Sequence, residues 1–286
     1  MTDGLVVVDK PGGWTSHDVV GRVRRLAGTR RVGHAGTLDP MATGVLVLGV
    51  DRATRLLGHL ALHDKEYDAT IRLGRATTTD DAEGEFVGTD AAGAASALET
   101  DAIERVMRAM TGTIDQVPSS VSAIKVDGVR AYRKARDGEA VQLAARPVTV
   151  TEFALRARNG TDVEVHVACS TGTYVRALAR DVGATLGIGA HLIALRRTRS
   201  GPFTLEHART LDELDEAFEV TPLATAVADA FPRIDVTEEE ATRIGHGQRL
   251  ALPIPSSPAG VFGPDGRVIA LVEGRNGVAR PLCVFA

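Results

Sequence analysis

The sequence predicts a mixed α/β fold, because segments with strand periodicity alternate along the chain with segments of helical periodicity. The segments at residues 4–9, apolar up to Asp9, and at residues 44–50 are typical of buried strands. Residues 67–73 and 163–169 alternate apolar with polar side chains, which is the period of a strand. A helix is predicted from about residue 174 to 186, ended by the glycine that follows it.

The other elements of the first 110 residues are predicted from the residues that begin and end helices and loops. Ser16 is a suitable N-cap for a helix that carries an apolar stripe and stops at Gly28. Residues 91–97 are small and rich in glycine and alanine, so we interpret them as a loose loop. Helical spacing resumes after the predicted caps Thr100 and Asp101.

The pattern of apolar, glycine and proline residues changes after Pro222. Short apolar runs separated by glycine and proline indicate a small β-rich unit. The length of 286 residues allows a large domain with a small one beside it. We therefore predict two domains, residues 1–230 and 231–286.

Cysteine usage and hydropathy exclude several classes of protein. Cys169 and Cys283 lie far apart, and no CxxC occurs, which argues against a zinc site and a disulfide framework. No apolar run is long enough to span a bilayer, and the start lacks a basic-then-apolar signal region. These features predict a cytoplasmic protein without a membrane segment.

The net charge of −4 argues mildly against a nucleic-acid partner, but its distribution leaves the question open. Arginines crowd residues 22–31 and 196–199, whereas acidic residues gather at 212–216 and 238–240. A basic binding face is compatible with this pattern, and so is a set of solvated arginines.

Asp39 lies in a loop that has little side-chain bulk. Gly33, Ala35 and Gly36 precede it, and Pro40 biases Asp39 toward an extended backbone. A carboxylate held beside a buried strand suits a positioned nucleophile. A turn in which Asp39 bonds its own backbone is commoner, and on these residues alone it is the better interpretation.

Other candidate sites are weaker. His59 and His63 stand four apart on a predicted helix, but a third metal ligand is not evident. Residues 170–173 are compatible equally with a phosphate-binding turn and with simple helix capping. No Walker A or GxGxxG pattern occurs, so nucleotide cofactors gain no support.

Several ordered motifs resemble those of one enzyme family. The segment GHAGTLDPMATGVLVLGVDRATR, which contains Asp39, is similar to the active-site motif of TruB-type tRNA pseudouridine synthases. The further stretches that agree, in order, are residues 9–16, 65–67, 77–84, 116–118, 122–128, 132–138, 169–176 and 189–199. Together these motifs overturn the turn interpretation of Asp39.

The resemblance implies the pseudouridine synthase fold, with a mostly antiparallel mixed central sheet and an inserted RNA-gripping arm near residues 117–147. The tail beyond residue 231 is similar to a small RNA-binding PUA-like β-barrel. The expected protein is a monomer that binds the T-arm of tRNA. It converts the T-loop uridine to pseudouridine without a cofactor or metal.

The resemblance also implies roles for individual residues. Asp39 is the expected catalytic nucleophile, Tyr67 the aromatic residue that stacks on the target base, and Arg176 the cation that keeps Asp39 ionised. His34 is expected to help occupy the space left by the flipped uridine. The remaining expected RNA contacts are Lys10, Asp81, Lys125, Arg130, Tyr132 and Arg133.

Alternative functions stay open at this point. The chain could modify another RNA uridine, or bind and fold tRNA with catalysis secondary. A hydrolase that uses Asp39 with a second carboxylate is a remote third, because no acid partner is identifiable. A solvated basic hairpin without a partner is the alternative to the arm.

Overall fold

The computed structural model describes residues 3–119, 125–126, 129–130, 143–254 and 256–285, with backbone only at 125–126 and 129–130. The helices in these ranges are α1 Ser16–Ala27, α2 Leu57–Leu60, α3 Ala92–Ala97, α4 Thr100–Ala109, α5 Val175–Thr185, α6 Leu211–Glu216, α7 Leu223–Ala230 and α8 Glu238–Gly245. The strands are β1 Gly4–Lys10, β2 Val32–His34, β3 Thr43–Val50, β4 Lys65–Leu73, β5 Ala76–Thr77, β6 Phe86–Val87, β7 Gly112–Gln116, β8 Lys125–Val126, β9 Val129–Arg130, β10 Arg146–Asn159, β11 Asp162–Cys169, β12 Ala190–Ser200, β13 Phe203–Thr204, β14 Thr221–Pro222, β15 Arg233–Asp235, β16 Ala259–Phe262, β17 Val268–Arg275 and β18 Val278–Val284.

Contacts within the chain define two compact units. The first contains Met1–Pro40, Gly44–Leu62 and Ser200–Ala286, and the second contains Met41–Thr43 and His63–Arg199. The predicted domain boundary near residue 231 falls inside the first unit and stays a prediction.

In the first unit, β1 pairs with β3 along its whole length, from Gly4 opposite Val50 to Lys10 opposite Gly44. Both pairings of β1, with β3 and β14, are antiparallel, and so is the pairing of β2 with β3. The side chains of Leu5 and Val47 belong to a buried cluster in this unit. These strands confirm the two apolar runs predicted from the sequence.

The β-rich character predicted for the tail is confirmed. β15, β16, β17 and β18 form a sheet in that order, and α8 packs against β17 and β18. The core of this sheet contains Val261, Ala270, Val272 and Ile244. In the part of the tail that the structure describes, the sheet is open rather than a closed barrel, so the predicted barrel was wrong in this respect.

The second unit is built on strands in the order β12, β4, β11, β10, β7. β11 pairs antiparallel with β4 and β10, and β10 pairs antiparallel with β7. The predicted helix at 174–186 is confirmed as α5, and most of its residues are buried. The chain therefore has the predicted mixed α/β, mostly antiparallel fold.

Residues 92–97 form a helix, so the predicted loose loop was wrong. Alanine has the highest helix propensity of all residues, and Ala95 is fully buried. The Asp90 carboxylate accepts a bond from the amide of Ala92 at 3.0 Å. Arg158 donates to the carbonyls of Ala95 and Leu98 at 2.9 and 2.6 Å, so both ends of this short helix are satisfied.

No helix in the described ranges is long and apolar enough to cross a membrane.

Substitution of alanine for glycine should have opposite effects on stability at two helical positions. A Cβ at Gly183 of α5 would lie 2.1 Å from the backbone nitrogen of Ala190, whereas a Cβ at Gly21 of α1 would meet nothing within 4 Å. Gly183→Ala should destabilise the protein by roughly 1–3 kcal/mol, because backbone cannot move aside cheaply. Gly21→Ala should be neutral or stabilise by up to about 1 kcal/mol. Thermal unfolding of both variants checks this, and an unchanged Tm for Gly183→Ala would contradict the close approach.

Candidate active site

Asp39 lies half-buried in the loop between β2 and β3, where the backbone has left the sheet. Its neighbour Leu38 is buried, and both polar backbone groups of Leu38 bond to one side chain. The Ser16 hydroxyl donates to the Leu38 carbonyl at 3.1 Å and accepts from the Leu38 amide at 2.9 Å. The residue before Asp39 is therefore fixed without a strand partner.

The other side of Asp39 is held from the same segment. The carbonyl of Pro40 accepts a bond from the Gly13 amide at 2.8 Å and from the Lys10 ammonium at 3.2 Å. Lys10 also donates to the carbonyls of Pro11 at 2.9 Å and Trp14 at 2.6 Å. Within residues 10–16, which we call the clamp segment, Lys10, Gly13 and Ser16 thus hydrogen-bond the loop on both sides of Asp39.

Lys10 was predicted to contact RNA, but its side chain is fully buried. A direct RNA contact would require its ammonium to leave the carbonyls that it binds, which is costly for a buried charge. The structure therefore assigns Lys10 to the support of the Asp39 loop. The sequence contained no signal for this, because a lysine in a turn is usually solvated.

Ser16 was predicted to be the N-cap of α1, and this was wrong by one residue. The Thr15 hydroxyl accepts from the Asp18 amide at 3.1 Å, and the Asp18 carboxylate accepts from the Thr15 amide at 2.9 Å. This reciprocal pair is a capping box. Because Thr15 caps the helix, the hydroxyl of Ser16 is available to bind Leu38.

His34 ends β2, opposite Leu48 of β3. Its ring meets the ring of His17 edge to face, with centroids 5.8 Å apart and planes at 82°. His17 is on α1, directly after Ser16, so the first turn of this helix contacts two points of the Asp39 region. The predicted role of His34 in replacing a flipped base stays a prediction.

Tyr67 is in the second unit, on the buried face of β4 and opposite Val167 of β11. Lys65 lies on the same face two residues earlier and is also buried. Burial, reinforced by the charge of Arg197, lowers the pKa of Lys65 to about 8. The alternation along β4 could have identified Lys65 as an inward-facing cation, although no role was predicted for this residue.

Arg176 is the second residue of α5 and is almost completely buried. Its Nη1 lies 3.2 Å from a carboxylate oxygen of Asp81, donates to the Thr79 carbonyl at 2.9 Å, and lies 3.3 Å from the Ser119 hydroxyl. A buried ion pair is stable only when further hydrogen bonds satisfy it, and these contacts do so.

Asp81 was predicted as an RNA contact, but its side chain is buried against Arg176. Its carboxylate also accepts from the Glu83 amide at 3.0 Å. Asp80 lies beside it in a left-handed backbone conformation with φ of 61°, and 3.4 Å from Arg180. Burial raises the pKa of Asp80 despite that arginine. Asp81 is therefore part of a buried charge cluster that orders Arg176.

The described start of the predicted arm joins this cluster. The Ser119 hydroxyl donates to the Thr79 carbonyl at 3.1 Å, and Arg180 donates to the Val117 carbonyl at 2.7 Å. Farther along, Lys125 of β8 pairs with Arg130 of β9 in a two-stranded ribbon, whose side chains are not described. Tyr132 and Arg133 lie outside the described residues.

The turn before α5 is held internally. The Ser170 hydroxyl accepts from the Thr149 amide at 2.9 Å, and Thr173 donates to the Ser170 carbonyl at 2.9 Å. The Gln116 side chain bonds both backbone groups of Tyr174, at 2.8 and 3.1 Å. These bonds favour the structural interpretation of residues 170–173 over a phosphate site.

A metal site is not present among the described residues, where no group of three or more His, Cys, Asp or Glu side chains could hold an ion. The pKa values of His59 and His63 are both lowered by burial.

Three family models match the chain. Residues 24–175 match the TruB family pseudouridylate synthase N-terminal domain, residues 176–227 the tRNA pseudouridylate synthase B C-terminal domain, and residues 231–286 the C-terminal model of tRNA pseudouridine synthase II. Among curated relatives, tRNA pseudouridine synthase B of Thermobifida fusca is 59% identical, over 100% of this chain and 99% of the relative. The protein of the same name from Streptomyces griseus is 57% identical, over 99% and 97%.

Solved structures agree in fold. The chain matches a structure of a Cbf5–Nop10–Gar1 complex with a TM-score of 0.75 and 26% identity, covering 99% of this chain and 84% of the other. It matches an H/ACA RNP bound to a substrate RNA containing 2′-deoxyuridine with a TM-score of 0.74 and 25% identity, covering 99% and 85%. With the family models and the full-length relatives, these matches lead to one conclusion: the chain belongs to the TruB family of pseudouridylate synthases.

Proposed function

We propose that this protein isomerises the T-loop uridine, position 55, of tRNA to pseudouridine, with Asp39 as its nucleophile. The observation that carries the proposal is that hydrogen bonds from Ser16 and Lys10 fix the residues on both sides of Asp39. The full-length relatives of the chain, named tRNA pseudouridine synthase B, support it. A carboxylate in a turn that merely bonds its own backbone would not need buried partners for both of its neighbours.

The reaction is an isomerisation in which no atom is oxidised or reduced. The bond between C1′ and N1 of uridine breaks, the base turns, and C1′ bonds to C5. The proton on C5 is lost and N1 carries one in the product. Asp39 acts at the sugar, either by bonding to C1′ or by removing a neighbouring sugar proton to give a glycal. Neither route calls for a cofactor.

Tyr67 and Arg176 take the roles that the resemblance implies. Tyr67 stacks on the target base, and its hydroxyl is a candidate for the removal of the C5 proton. Arg176 opposes the rise in the pKa of a desolvated carboxylate and so keeps Asp39 ionised. The buried contacts of Arg176 with Asp81 and Thr79 support a fixed guanidinium, which a positioned counter-charge needs.

The proposed partner is the T-arm of tRNA, bound by a monomer in the cytoplasm. The target uridine lies in a folded loop and must leave its stack to reach a carboxylate. His34 is proposed to help fill the vacated space. Lys125, Arg130, Tyr132 and Arg133 are proposed to hold the RNA through phosphates and stacking.

Removing the charge of Asp39 tests the catalytic assignment. With tRNA carrying tritium at C5 of the T-loop uridine, the wild-type protein should release tritium, and Asp39→Asn should lower release by on the order of 10³-fold or more. Binding of tRNA by Asp39→Asn, measured by filter retention, should stay nearly intact because the amide is isosteric with the carboxyl.

Asp162→Asn is the matched control, since Asp162 forms a surface ion pair with Arg72 at 2.7 Å. It should release tritium at the wild-type rate. Full release by Asp39→Asn would contradict the nucleophile assignment. Binding without release by the wild type would favour an RNA-folding protein, and release from another uridine would correct the substrate.

The proposed arm can be tested through the salt dependence of binding. Lys125→Ala should weaken tRNA binding and reduce the slope of log Kd against log salt by about 0.7–0.9, the value for one lost phosphate contact. Lys125→Arg keeps the charge and should retain the slope. Equal affinity of Lys125→Ala and wild type at low and moderate salt would refute a phosphate contact.

A further inference from the structure

Ser16 makes an unusual pair of hydrogen bonds for a residue so far from Asp39 in sequence. Its hydroxyl donates to the carbonyl of Leu38 and accepts from the amide of the same residue, at 3.1 and 2.9 Å. A serine hydroxyl has one proton and two lone pairs, so both bonds form at once. Only 1% of Ser16 and 3% of Leu38 are exposed, so water does not compete for these groups.

The carbonyl of Leu38 belongs to the peptide unit that joins Leu38 to Asp39. That unit is planar, so a bond to its oxygen orients the plane from which the Asp39 side chain departs. On the far side, the ring of Pro40 fixes its own φ angle, and Lys10 and Gly13 hold its carbonyl. The direction of the Asp39 carboxylate is therefore left with few backbone rotations.

We propose that Ser16 is a positioning residue that aims Asp39 at the reacting sugar through the peptide of Leu38. The inference rests on the proposed role of Asp39 and deepens it. A displacement of about 1 Å at a reacting group costs on the order of 10²-fold in rate. A role limited to stability would instead lower the melting temperature and leave the rate of the folded enzyme unchanged.

Thr15 provides a matched control on the adjacent residue. Its hydroxyl caps the same helix through bonds with Asp18, and it was not found to bond Leu38 among the described residues. Thr15→Ala removes a helix cap, whereas Ser16→Ala removes the bonds to Leu38. Both variants lose one hydroxyl from the same turn, so they separate stability from positioning.

The experiment measures the single-turnover rate of tritium release with tRNA saturated by enzyme, together with the melting temperature. Ser16→Ala should slow release by about 10- to 100-fold, with tRNA affinity unchanged within about twofold. Ser16→Cys keeps a weak donor and should give an intermediate rate, and it carries the test if Ser16→Ala does not fold. Thr15→Ala should lower the melting temperature and release tritium at the wild-type rate.

Trp14 is a fluorescent probe of the clamp segment, because it is the only tryptophan of the sequence and lies two residues before Ser16. Its side chain is partly exposed, at 37%. Its emission spectrum should be the same in wild type and Ser16→Ala, which shows that the clamp segment is still in place. Equal rates for folded wild type, Ser16→Cys and Ser16→Ala would overturn the proposal, and so would an equal slowing by Thr15→Ala. Failure of the wild type to release tritium, or release by Asp39→Asn, would count against the proposed function instead.

Discussion

The backbone on either side of Asp39 depends on hydrogen bonds from residues 10–16. Residues 35–42 lie between β2 and β3, where most of the backbone lacks a strand partner, yet Leu38 is buried. A buried amide or carbonyl left without a partner costs about 1–3 kcal/mol, so these groups constrain the fold more than their number suggests. Ser16 and Lys10 satisfy them, and the pairing of β1 with β3 brings both segments together.

In the second unit, buried polar groups are satisfied by an ion pair. Arg176 lies in the first turn of a buried helix, where an unpaired charge would be costly, but Asp81 pairs with it and the Thr79 carbonyl accepts a hydrogen bond from its guanidinium. Ser119, at the start of the predicted arm, bonds to the same guanidinium and to the same carbonyl. In both units, a serine hydroxyl bonds to the structure beside a residue with a proposed catalytic role: Ser16 beside Asp39, and Ser119 at Arg176.

Much of the fold was predictable because it follows from periodicity. The apolar run at residues 4–9 and the alternation at 67–73 are properties of the chain alone, and both strands were confirmed. The helix at 92–97 was missed because its glycine and small side chains lack an amphipathic stripe, while its stability comes from Arg158, distant in sequence. The burial of Asp81 and Lys10, both predicted as RNA contacts, was not foreseen, because burial of a charged residue depends on partners that sequence spacing does not reveal.

The hydrogen bonds that fix the Asp39 loop also bear on whether the protein or the RNA changes conformation when the two bind. A carboxylate on a flexible loop could adopt many positions. The loop would then lose conformational entropy each time the substrate binds. Here the loop is ordered by bonds that already exist in the free chain. Under the proposed role of Asp39, adjustment is consequently left to the nucleic acid, and RNA loops that open easily would be favoured over stiffly stacked ones. Selectivity of this kind is set by the deformability of the substrate as well as by contacts with its bases.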